Sequence, residues 1–148
     1  MDDKALRAVA EEKDATPNNF LTPVAPDSTF IGIKGQQAFA DFLGIKHNPS
    51  NSGPDGGVDF ILNLIDGAYT VDVKTSRMPH LGMLCRVPLK SQIYAFVDAN
   101  TWDVIGWQWS KIVKKHPIVD MGHGFPSHNV PVRVLRNMDE LRVRLKNK

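Results

Sequence analysis

Downstream of about residue 30 the apolar positions follow two distinct periods. In GIKGQQAFADFLGI, Phe39, Phe42 and Leu43 recur at helical spacing, which predicts a helix over 33–43 ended by Gly44. A loop rich in turn formers follows, HNPSNSGPDGG. Residues 58–76, VDFILNLIDGAYTVDVKTS, then alternate with period two about Asp66-Gly67, which predicts a β-hairpin. Residues 77–91 show no period and contain Pro79 and Pro88. SQIYAFVDAN predicts a strand over 92–98 and TWDVIGWQWS its partner, with the turn at Asp98-Ala99-Asn100. SKIVKKHP predicts a short basic helix stopped by Pro117, with Ser110 as candidate N-cap. IVDMGHGFPSHNVP reads as a long polar loop and VPVRVL as a short edge strand. Residues 137–147 close the pattern as a helix capped by Asn137, with Met138, Leu141 and Leu145 on one face. Helix, hairpin, two strands, helix, strand, helix is the order of a mixed α/β layer fold around a small sheet. Residues 1–30 stand apart, with a short helical stretch at 2–13 and three prolines in 14–30; they predict a peripheral arm before a domain at 31–148.

The hairpin carries charge where a strand should be apolar. With the turn centred on Asp66-Gly67, Phe60 faces Val73, Leu62 faces Val71 and Leu64 faces Tyr69, all on one apolar face. On the other face Asp59 opposes Lys74 and Ile61 opposes Asp72, so two carboxylates and an ammonium gather at one end. Two readings fit this cluster. One is a cross-strand ion pair, Asp59 with Lys74, worth under about 1 kcal/mol. The other is a pair of hard oxygen ligands for Mg²⁺ or Mn²⁺, because two crowded acids need a cation or a proton between them.

Composition narrows the class. No apolar run nears the roughly 18 residues a membrane helix needs, and MDDKALRAVAEEKD is too acidic and polar for a signal or transit peptide. Cys85 is the one cysteine, which excludes an internal disulfide and a thiolate zinc cluster and suits a reducing cytoplasm; it reads as a small buried hydrophobe. Residues 1–74 hold six Lys/Arg against eleven Asp/Glu, and residues 75–148 hold twelve against five. A basic second half suits a polyanionic partner.

At Asp59 and Asp72-Val73-Lys74 the chain resembles the PD-(D/E)XK nucleases, whose signature is an acid opening one strand and acid-x-Lys on the next. The helix–hairpin–strand order, the glycine-rich approach GPDGGVDF and the strand end VIGWQWS, similar to that of small phage-type members, extend the resemblance over roughly 31–135. It implies a restriction-endonuclease-like core, a mixed central β-sheet flanked by helices. It implies metal-dependent hydrolysis of DNA phosphodiesters, with Asp59, Asp72 and the Val73 carbonyl on a divalent ion and Lys74 assisting the attacking water. Many members carry a glutamate on the first helix after G-x-x-G; here Gln36 holds that position, with Gln37 beside it, and a glutamine supplies no charge. Thr75, Ser76 and Arg77, and the basic run Lys111, Lys114 and Lys115 with His116, are candidates for phosphate contact. Gln92 either faces the same site or is a plain strand position. His123 and His128 read as loop residues, and none of the five histidines has metal-ligand spacing. Trp107 and Trp109 share a face and read as core. A homodimer is one arrangement by which so small a chain reaches both DNA strands. A non-catalytic nucleic-acid-binding module, motivated by Gln36, and an interaction protein docking through 1–30 are the competing classes.

Overall fold

The computed structural model describes residues 3–4, 28–47, 58–120 and 125–146. Most of the arm and all of residues 48–57 lie outside these residues, as does His123. The first helix, α1, spans Ser28–Leu43. It starts five residues before the sequence pattern indicated, because Phe30 and Ile33 bury as a small apolar cluster of their own. Phe39 and Leu43 face the core, and Gly44 ends the helix at φ 70°, the left-handed stop that glycine adopts without strain.

The main sheet has the order β1 (Phe60–Leu64), β2 (Gly67–Ser76), β4 (Ile93–Asp98), β5 (Val104–Trp109). β1–β2 and β4–β5 are antiparallel hairpins, while β2 and β4 run parallel, so the sheet is mixed. β4 buries five successive residues, IYAFV, because both of its faces are covered. On one face, Phe60, Leu62, Val71, Val73, Ile93, Ala95 and Trp107 pack against α1 and the last helix, α3 (Met138–Val143). Asn137 caps α3, its side chain accepting the Asp139 N–H at 2.8 Å. On the other face, Tyr94 and Phe96 pack against a second, three-stranded sheet of order β3 (Met83–Arg86), β7 (Ser127–Val130), β6 (Ile118–Val119).

That second sheet corrects the sequence reading. Residues 77–91 supply a 3-10 turn at Pro79–Leu81 and then β3, and the polar loop at 118–131 supplies β6 and β7. These strands are two to four residues long, too short for a period to register. VPVRVL is a 3-10 turn at Val132–Val134 rather than an edge strand. The short helix α2 (Ser110–Val113) begins at Ser110 itself; Trp109 occupies the cap position, and no side chain caps the helix.

The hairpin register also shifts. The turn residues are Ile65 and Asp66, and Gly67 opens β2 at φ 144°, so Phe60 pairs with Val71 and Leu62 with Tyr69. Moving the turn centre by one residue moves the partners by two. Each side chain therefore keeps its face, and only its opposite number changes.

Candidate active site

The register places Asp59, one residue before β1, across from Asp72 rather than across from Lys74. β1 stops at Phe60 while β2 continues to Ser76, so the edge of β2 is open beyond Val71. Asp59 covers the first free position: its backbone N–H donates to the Val71 carbonyl at 2.7 Å, and its Oδ2 accepts the Val73 N–H at 2.8 Å. The carbonyls of Thr70 and Ser76 point toward β4 and its flanks. By alternation the Val73 carbonyl leaves the strand on the open side, beside Asp59.

The register sets Asp59 opposite Asp72, and the environment raises the pKa of both carboxyls. Burial raises the pKa of Asp59, the Asp72 charge raises it further, and the Val73 N–H and Lys74 offset only part, leaving it at about 7. Burial raises that of Asp72 as well, against the pull of Lys74. Lys74 Nζ lies 3.2 Å from Asp72 Oδ2, so the ion pair runs along β2 and not across to Asp59. Burial would lower the Lys74 pKa, but Asp72, with Cys85 and Asp59 nearby, outweighs it and keeps the ammonium charged. Cys85 is fully buried beneath this cluster, its thiol pushed up to about 12 by burial, so it is no nucleophile.

Gln36 comes from α1 on the opposite face and reaches round the open end of β1. It is 9% exposed, and its Nε2 donates to Asp59 Oδ1 at 3.1 Å. Behind it stands a residue that sequence spacing did not single out. His47 Nε2 lies 2.9 Å from Gln36 Oε1, and His47 Nδ1 lies 3.0 Å from Gln37 Oε1. The ring packs 5.6 Å from that of Phe60, and burial lowers its pKa to about 4. Gln37 in turn donates to Asp41 at 2.7 Å. His47 carries no motif; the chain reversal at Gly44 is the only sequence signal that turns it back toward α1.

The other candidates are scattered. Thr75 Oγ1 is buried without a hydrogen-bond partner, directly against Gly35. Ser76 Oγ accepts the Met78 N–H, and Arg77 is exposed. Lys111, Lys114 and Lys115 are exposed on and after α2. Gln92 turns away from the carboxylates and accepts the Thr70 N–H at 3.1 Å. His128 is a β7 residue, not loop filler; it is buried, with Nδ1 2.7 Å from the His116 carbonyl. Trp107 is fully buried and meets Trp109 edge-on, as core.

The donor set suits a hard divalent cation. Two neighbouring carboxyls whose charged forms are disfavoured by burial offer a place for a cation, and the Val73 carbonyl is a third oxygen on the same edge. Among the described residues no group of three or more His, Cys, Asp or Glu side chains converges as a metal cluster, so further ligands would be solvent or substrate oxygens. No helix among the described residues is long and apolar enough to cross a membrane. No family model, curated protein or solved structure matches the chain.

Proposed function

We propose that this chain is a metal-dependent nuclease that hydrolyses DNA phosphodiester bonds on a restriction-endonuclease-like core. The observation that carries the reading is the convergence of Asp59, Asp72 and Lys74 at the open edge of β2, where burial raises the pKa of both carboxyls. Asp59, Asp72 and the Val73 carbonyl would hold Mg²⁺ or Mn²⁺, which supplies a Lewis acid and lowers the pKa of the water it binds. Lys74 stays charged at neutral pH and stands beside Asp72. Its ammonium stabilises negative charge growing on a phosphate at this edge. Gln36 and the Val73 N–H orient the two Asp59 oxygens and take no part in the bond change. Asp72 is buried and Asp59 half-buried, which strengthens each of these charge interactions.

A second reading rests on one contact. Both Asp59 oxygens already accept an N–H, from Gln36 and Val73, and Gln36 brings no charge where a glutamate would. That arrangement suits a nucleic-acid-binding module in which the acids are structural. Incubation with plasmid, single-stranded and branched DNA in Mg²⁺ and Mn²⁺ separates the two. Catalysis requires cleavage that Asp72→Asn abolishes and Lys74→Ala lowers by about 10²–10³. Equal cleavage by wild type and both variants would sink it, and retention of DNA without cleavage would favour the binding module.

A further inference from the structure

Lys34, on α1, has a prepared seat. Its Nζ lies 4.7 Å from the centre of the Trp102 ring and 5.9 Å from that of Phe30. The Trp102 backbone stands at φ 64°, a left-handed conformation that is strained for a bulky residue. The turn between β4 and β5 imposes it. The Trp102 N–H donates to the Asp98 carbonyl at 2.7 Å, and the Asp98 N–H to the Asp103 carbonyl at 3.0 Å. That turn is also tied to the end of β2, because the Ala99 N–H donates to the Ser76 carbonyl and Asn100 Nδ2 to the Arg77 carbonyl, both at 2.8 Å. Gly35 packs directly against Thr75, and Lys34 and Lys74 are the residues that precede these two. Thr75 faces α1, so Lys74 leaves β2 on the other face, and the two ammoniums flank the C-terminal end of the strand.

The anion on Lys34 comes from the N-terminal arm: Asp3 Oδ2 lies 2.8 Å from Nζ. The partners are unequally held. The Lys34 side chain is 24% exposed and that of Asp3 64%. An exposed carboxylate gains little from such a pair and leaves at small cost, whereas an ammonium largely taken out of water still favours an anion. Residues 1–30 hold six Asp/Glu against three Lys/Arg, so the segment that supplies Asp3 shares its sign of charge with a nucleic acid. We infer that Lys34 is a binding site for a backbone phosphate, and that Asp3 of the acidic arm covers it until a nucleic-acid strand displaces the carboxylate. The choice of DNA as the polyanion rests on the proposed function; neither cleavage nor a bound cation is needed for it.

Affinity for a fluorescently labelled DNA duplex, read by anisotropy in chelator, tests this without cleavage. Asp3→Asn should bind about two- to fivefold more tightly, the gain from releasing an exposed ion pair. Lys34→Met keeps an apolar stem over Trp102 and should bind more weakly, with the slope of log K against log salt reduced by about 0.9. Lys34→Arg keeps the charge and should restore both. In the Lys34→Met background, Asp3→Asn should gain nothing. An equal gain in both backgrounds would mean that net charge alone acts. Lys34→Met affinity at or above that of the wild type would mean that Lys34 only anchors the arm. Either result overturns the inference. The expected pattern without cleavage in Mg²⁺ or Mn²⁺ refutes the nuclease and leaves the Lys34 site standing. Cleavage that Asp72→Asn abolishes, with affinity indifferent to Lys34 and Asp3, does the reverse. If neither the wild type nor Asp3→Asn binds the duplex, Lys34 is not a phosphate site.

Discussion

Asp59 stands opposite Asp72 at the end of the β1–β2 hairpin, and burial raises the pKa of both carboxyls. A pair of acids held this way is under electrostatic load. Burial and mutual repulsion both favour a positive partner, and a proton fills that place when no cation does.

Cation binding should therefore stabilise the fold. At a concentration about 100 times its Kd, Mn²⁺ or Mg²⁺ should add about 2.7 kcal/mol at neutral pH. Thermal unfolding with and without the ion measures this. Asp59→Asn should raise the cation-free melting temperature by relieving the repulsion, Asp72→Asn should lower it by leaving the Lys74 ammonium without its partner, and both should abolish the ion-induced increase. A rise of equal size in the variants would place the binding elsewhere.

Stability against pH separates Asp59 from His47. The Asp59 pKa is raised to about 7 in the fold, so its contribution is full below the unfolded value near 4 and is lost as pH rises through 7. The His47 pKa is lowered to about 4, so its contribution is full above 6.5 and is lost as pH falls through 4. The two slopes oppose each other in the wild type. Urea midpoints between pH 4 and 7.5 in chelator should rise toward acid in His47→Gln. They should fall toward acid in the Asp59→Asn/Asp72→Asn double variant. The same slope in both would contradict the buried states of these groups.

Gly35 on α1 packs directly against Thr75 on β2. A Cβ there would lie 2.9 Å from the Thr75 Cβ and would collide with its hydroxyl. Gly35→Ala should cost about 1–3 kcal/mol as overpacking, although alanine favours helix. It should also disturb the site, since Gln36 and Lys74 are the chain neighbours of the two clashing residues. Adding Thr75→Ala removes the hydroxyl, which is the worst contact, and should recover part of the loss in denaturant midpoint. No recovery would mean that the backbones themselves set the spacing.

The basic run tests the polyanionic partner independently of catalysis. Lys111, Lys114 and Lys115 are exposed. If they meet phosphates, each alanine substitution should reduce the slope of log K against log salt by about 0.9. The melting temperature should stay unchanged. An unaltered slope would assign DNA contact to another face, with Arg77 the nearest exposed cation in sequence to Lys74.

Alternation in VDFILNLIDGAYTVDVKTS is enough to separate Phe60, Leu62, Val71 and Val73 from Asp59, Asp72 and Lys74, because side-chain direction along a strand is a local property. Helical spacing likewise marks Phe39 and Leu43, and the Asn137 cap is local as well. Those features were legible from neighbours a few residues apart. The hairpin partners were not, since one residue of turn geometry, expressed at Gly67, decides whether Asp59 meets Lys74 or Asp72. The parallel pairing of β2 with β4, and the second sheet from β3, β6 and β7, depend on contacts between segments far apart in sequence. The strands of that second sheet are too short to carry a period. His47 belongs with these. Nothing in its immediate sequence points to Asp59, and it reaches the site because α1 packs on one face of the sheet while β1 ends early enough for Gln36 to pass round its edge.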